Sequence, residues 1–281
     1  MQALLVAKSL YVFLGLIAVL ALVILFRKYA LRRELDLLAM WSDTRMVVYA
    51  SVTAALYVAA LTPFKALPIV PGLTEIRPGV ALPIFLSFLF GPAAAWGAAF
   101  GNFIGDFFGT LGPGSLFGFF GNLLLGYAPY ALYRAWCGHS SPGKSGLPSI
   151  FFAAAAIAVG ALACATTIAW GADAIGLAPF VVLAPIISIN NLLVGLILAL
   201  PLTLILYPRA EKWGVVYFEI MEAKTVCAAP TGKLGALLFT IGAVGGFAAG
   251  FLASYTAPGG LTVGWMVAPG IILMLIGMIL L

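Results

Sequence analysis

Apolar residues run along this chain in stretches of membrane-span length, separated by short polar breaks. The pattern predicts nine hydrophobic segments, at residues 9–26, 46–61, 80–90, 93–109, 116–133, 149–170, 179–207, 234–254 and 264–281. Between them lie a polar helix-forming segment at 28–45, a proline-rich loop at 62–79, a polar connector at 134–148 and a charged, partly amphipathic stretch at 209–233. The segment at 80–90 has eleven residues, too few to cross a hydrocarbon core of about 30 Å as a straight helix. It must nevertheless count as a span if the polar loops are to alternate sides.

Within this pattern the stretch AAAWGAAFGNFIGDFFG stands out. Gly97, Gly101, Gly105 and Gly109 recur every four residues, and Asn102 and Asp106 follow two of them by one step. At about 100° per residue the glycines share one side of a helix and the two polar residues share an adjacent stripe. Small residues at this spacing let two backbones approach closely in lipid. The place of this helix, after the short FGP-ended segment, favours packing within the same chain over dimerisation. Asp106 is first an anchor for a neighbouring element and second a site residue, since an intramembrane carboxylate marks function by default.

Composition fixes the class. Of 281 residues 64% are hydrophobic and 8% charged, and the mean hydropathy is +1.16. That balance belongs to an all-α integral membrane protein. The net charge of +5 follows membrane topology rather than nucleic-acid binding. With the N-terminus outside and the C-terminus cytoplasmic, the cytoplasmic loops hold Arg27, Lys28, Arg32, Arg33, Arg45, Arg134, Lys144, Arg209, Lys212, Lys224 and Lys233, and the outside holds Lys8, Lys65 and Arg77. Eleven against three satisfies the positive-inside rule, and the flipped topology reverses it. The first apolar run carries its charges behind it and has no small-residue cleavage site, so it reads as a retained span rather than a signal peptide.

Little of the usual catalytic chemistry is present. Cys137, Cys164 and Cys227 are far apart, and His139 is the single histidine, so no metal site or cofactor is expected. The spacing G-x-x-x-x-G-K-[ST] occurs once, in GHSSPGKS at 138–145, but there it connects two apolar helical segments and lacks the preceding strand of a phosphate-binding loop; there is no H-E-x-x-H and no G-x-S-x-G. No catalytic residue is expected, and a solute moved by this protein needs energy from a partner. What remains is a set of polar groups at shared depth. The external loop TPFKALPIVPGLTEIRPG carries Glu75 and Arg77, which serve either as a paired surface or as a lid over a cavity. Arg77 suits a carboxylate or phosphate. Asp106, Asn122, Trp170, Asn190 and Asn191 lie at middle and outer depth beneath that loop. Each asparagine alone reads as an interhelical hydrogen bond, but the set fits a ligand pocket. In residues 49–61, Ala50 and Ala54 form one row of small residues, and Ser51, Ala55 and Ala59 form a second. Such rows admit another helix, from this chain or from a partner.

These features resemble the S components, the substrate-binding subunits of energy-coupling factor (ECF) vitamin transporters. The matching region is about residues 45–207. It carries an alanine-rich first core helix, a long first external loop, a short second helix and the passage RPGVALPIFLSFLFGPAAAWGAAFGNFIGDFFG. The resemblance implies a six-helix core that captures a small vitamin-like molecule from outside. Uptake would then need a T component and two cytoplasmic ATPases. The same resemblance implies that Glu75, Arg77, Asn122, Tyr127, Trp170, Asn190 and Asn191 line the site and that Ala50 and Ala54 meet the T component.

The expected organisation is an N-terminal helix and basic linker at 1–44, the core at 45–207, a charged linker at 208–233 and two C-terminal helices at 234–281. The extra spans depart from the usual S component. They leave open a second reading, a scaffold subunit of another membrane complex. A third reading, a membrane enzyme acting on lipid, lacks a base to partner its lone acid.

Overall fold

The computed structural model describes residues 34–70, 74–221, 231–256 and 260–281, with six helical positions between 14 and 25. The expected span at 9–26 otherwise lies outside the described residues, as does Cys227. In order come α1 (Asp36–Ala39), α2 (Thr44–Leu61), the strands β1 (Pro68–Val70) and β2 (Thr74–Glu75), and then the helices α3 (Ala81–Phe90), α4 (Pro92–Asp106), α5 (Ser115–Cys137) and α6 (Leu147–Ala174). These are followed by α7 (Phe180–Val194), α8 (Leu200–Lys212), α9 (Tyr217–Ile220), α10 (Gly232–Thr256) and α11 (Gly260–Leu280). Among the described residues five helical stretches are long and apolar enough to cross a membrane, including Thr44–Ala66, Leu147–Ala174 and Phe180–Ile220. At 23 residues α5 spans about 35 Å, but it lies at the centre of the bundle, with most of its residues buried. The protein is an all-α, multi-pass membrane bundle.

Local chemistry explains the element boundaries. Asp43 caps α2, its carboxylate accepting from the backbone N–H of Arg45 at 2.8 Å and of Met46 at 3.3 Å. The eleven-residue segment becomes the ten-residue helix α3. The loop before it packs into the bundle, with Glu75 and Val80 buried. In that loop β1 and β2 pair as a two-stranded antiparallel ribbon, and Gly79 lies against the backbone of Ala60. Gly91 then turns the chain at φ +53°, a conformation that glycine adopts without steric cost. A β-carbon there would also meet the Tyr217 ring at 2.6 Å. Pro92 begins α4, where its missing N–H costs nothing.

The glycine row behaves as an internal packing face. A β-carbon on Gly97 would collide with Thr53, one on Gly101 would approach the Ala54 carbonyl at 3.0 Å, and one on Gly105 would meet Leu61 at 3.2 Å. Each of these neighbours lies on α2. Gly109 does not belong to this face. Helix α4 ends at Asp106, and a β-carbon on Gly109 would meet only Lys65, at 3.9 Å. The polar groups at 106 and 110 draw the chain into a turn before a fourth glycine can reach the groove.

A hydroxyl repairs the centre of the bundle. Pro129 interrupts α5, and a proline in a helix disturbs the backbone hydrogen bonds around it. The Ser87 hydroxyl donates to the Gly126 carbonyl at 2.5 Å and accepts from the Tyr130 N–H at 3.2 Å. It thereby bridges the two groups that an undisturbed helix would join directly. In lipid such groups cannot turn to water, so an adjacent side chain must satisfy them.

The two C-terminal helices pack on the core rather than standing apart. Gly242 and Gly270 meet almost backbone to backbone within the α10–α11 hairpin. Trp170 of α6 donates to the Gly264 carbonyl at 3.1 Å, Thr166 of α6 to that of Ala243 at 3.4 Å, and Tyr127 of α5 to that of Met278 at 3.3 Å.

A polar cavity beneath the loop

The described parts of the loop, 62–70 and 74–80, close one end of the bundle, here the loop end, and two cations and two carboxylates knit them there. Lys65 Nζ lies 3.0 Å from Glu75 Oε1 and 3.2 Å from Asp106 Oδ1, and it donates to the Thr110 hydroxyl at 2.5 Å. Arg77 Nε lies 3.0 Å from the same Glu75 oxygen. The Glu75 side chain is 1% exposed and that of Asp106 is 6% exposed, so these pairs act with little screening from water. Neither Glu75 oxygen has an aligned hydrogen bond. Oε1 is held by charge, and Oε2 has no hydrogen-bond partner.

Beneath the loop lies a cavity of about 120 Å³. Its polar wall includes Arg77 from the loop, Asn102 and Asp106 from α4, Asn122 from α5, and Asn190 and Asn191 from α7, with the hydroxyls of Thr110 and Ser115 at its edge. Cys164, Ile168, Leu177 and Ile187 supply apolar surface. Helical spacing gathers these groups. Asn102 and Asp106 are one turn apart on α4, and Cys164 and Ile168 are one turn apart on α6. Arg77 Nη1 donates to Asn102 Oδ1 at 2.8 Å, and its backbone N–H donates to Asn190 Oδ1 at 3.2 Å. Tyr57 donates to Asn122 Oδ1 at 2.9 Å, while Asn122 Nδ2 donates to the Gly118 carbonyl at 2.9 Å. The amides are thus held in fixed orientations before any ligand arrives.

Of the eight residues expected at a site, Arg77, Asp106, Asn122, Asn190 and Asn191 line this cavity, and Glu75 stands behind Arg77. Tyr127 and Trp170 are elsewhere, bonded to the C-terminal hairpin. Helix geometry separates them from the cavity. Tyr127 is five residues from Asn122, about 140° around α5, and Trp170 is six from Cys164, about 120° around α6. Two participants went unrecognised in the sequence. Asn102 shares the Asp106 stripe one turn earlier, which was signal enough. Lys65 carried only a charge in a loop, and nothing in its spacing marked Asp106 as its partner. Of the small-residue rows on α2, Ala50 is buried beneath Gly97 and Ala54 is half-buried beside Gly101. The neighbouring Ser51, Ala55 and Ala59 are exposed and line a shallow groove with Trp41 and Phe100.

Among the described residues no group of three or more His, Cys, Asp or Glu side chains could hold a metal. The fold and the cavity together define a class, a multi-pass helical membrane protein with a polar chamber capped by a folded loop. A model of the QueT transporter family matches residues 47–208, more than half of the chain. The chain belongs to that family, a family of S components of ECF transporters. S components work with a T component and ATPases. No curated protein and no solved structure matches the chain.

Proposed function

We propose that this protein is the substrate-binding subunit of an ECF-type transporter and that it captures a queuosine precursor, a guanine-like base, from outside the cell. The observation that carries the reading is the wall of the cavity, with four oriented asparagine amides, one arginine and one aspartate. A guanine-like base carries hydrogen-bond donors and acceptors around a flat ring, and amides pair with both kinds of edge. At about 120 Å³ the chamber is smaller than the roughly 300–1,000 Å³ of drug-sized sites, which favours a compact ligand. Family membership supports the substrate class. The charge bias of the loops supports an orientation with the loop end outside, where the loop serves as a lid.

In this reading uptake is driven by two cytoplasmic ATPases through a T component. The exposed row Ser51, Ala55 and Ala59, with Ala50 and Ala54 at the floor of the same groove, is the contact for a T-component helix.

Purified protein is expected to carry the base. Mass spectrometry of heat-released extract should find it, and 7-aminomethyl-7-deazaguanine added to emptied protein should raise the melting temperature. Asn191→Ala and Arg77→Ala should each weaken binding by roughly tenfold or more, as read by isothermal titration. A lipid-only extract, with neither variant altering any binding, would instead favour a scaffold role.

A further inference from the structure

The polar groups of the cavity differ in what they can exchange. Asparagine amides both donate and accept, and a guanidinium only donates. Asp106 is the one lining carboxylate among the described residues, and so the one group that only accepts. Its two oxygens are used unequally. Oδ1 holds Lys65 at 3.2 Å and Thr110 at 2.9 Å. Oδ2 receives a single long hydrogen bond from Asn102, at 3.4 Å. A β-carbon on Gly118, which lines the cavity, would lie 3.8 Å from Oδ2, so Oδ2 is on the cavity side. The side chain is 6% exposed, which leaves this under-used acceptor sealed from bulk water.

We infer that Asp106 fixes the orientation and identity of the ligand. Oδ1 tethers the loop through Lys65 and Thr110, while Oδ2 accepts from the N–H donor edge of the bound base. Arg77, on the loop and hydrogen-bonded to Asn102, then faces the carbonyl next to that ring N–H. The inference rests on the binding role proposed above and adds a selection rule to it. A base with adjacent ring N–H and exocyclic amino donors is preferred over one lacking the amino group. A buried acceptor that loses one of its two donors is left under-satisfied, which is costly.

The test compares 7-aminomethyl-7-deazaguanine with its analogue lacking the exocyclic 2-amino group, by titration of the full-length protein in detergent. Wild-type protein should prefer the 2-amino base by roughly tenfold or more, and Asp106→Asn should bring that ratio close to one. Lys65→Met, which cuts the tether and leaves Oδ2 in place, should retain the ratio and speed ligand release. It reports on the division of roles even if Asp106→Asn fails to fold. An unchanged ratio in Asp106→Asn overturns the assignment, as does a ratio that collapses equally in Lys65→Met. Failure of wild-type protein to bind either base overturns the binding role itself, a different outcome from the other two.

Discussion

Replacing Asp36 by alanine is expected to cost about 3–5 kcal/mol of stability, the usual result of leaving one partner of a buried ion pair alone. Asp36 is 2% exposed and Arg134 3%, at the end of the bundle opposite the loop. Arg134 Nη1 donates to Asp36 Oδ2 at 3.1 Å, Nη2 donates to the Leu281 carbonyl at 3.2 Å, and Tyr130 donates to Asp36 at 3.3 Å. The pair therefore joins α1 and α5 to the end of α11. Without the carboxylate, the guanidinium keeps the Leu281 carbonyl, the neighbouring Tyr217 hydroxyl and the Tyr130 ring, 5.8 Å away, as compensation for a buried charge. Thermal unfolding in detergent should show a large drop for Asp36→Ala. The double variant Asp36→Leu with Arg134→Met should recover much of it, because apolar residues of similar size replace buried pairs at little cost. Equal losses in the single and double variants would show that packing, rather than the orphaned charge, sets the effect.

The second large effect is expected at Gly97. A β-carbon there would collide with Thr53 and lie 2.8 Å from the Ala50 carbonyl. Side chains can swing aside, but a helix backbone cannot, so Gly97→Leu must push α2 and α4 apart. Overpacking of this kind typically costs about 1–3 kcal/mol. Because α4 carries Asn102 and Asp106, binding should suffer beyond the loss of stability. Gly245 on α10 has open space where a β-carbon would go, and Gly245→Leu should stay within about 0.5 kcal/mol of the parent. Melting temperature and ligand titration of the two variants side by side would check this. Equal behaviour would refute the claim that close helix approach, rather than glycine itself, matters at Gly97.

How much of this was legible depends on the range of the interaction. Helix packing along one face follows from spacing alone, and Gly97, Gly101 and Gly105 lie against α2 as their period demands. The cavity was partly legible because Asn122, Asn190, Asn191 and Asp106 are costly in lipid and share a depth, so they had to find one another or a ligand. Tyr127 entered through resemblance and Trp170 through depth and resemblance, and angular position on their helices turns both away from this cavity. The Asp36–Arg134 pair spans 98 residues. Arg134 reads as a loop charge until the fold brings α1 beneath it. Lys65 and Asp106 are 41 residues apart and were hidden for the same reason. Local periodicity carries no record of which distant charges will meet.

Both buried clusters have zero net charge. Lys65 and Arg77 balance Glu75 and Asp106 at the loop end, and Arg134 balances Asp36 at the other. Transmembrane voltage acts on net displaced charge, at about 2.3 kcal/mol per elementary charge per 100 mV. When the bundle tilts or turns with these clusters intact, the clusters themselves add no net gating charge.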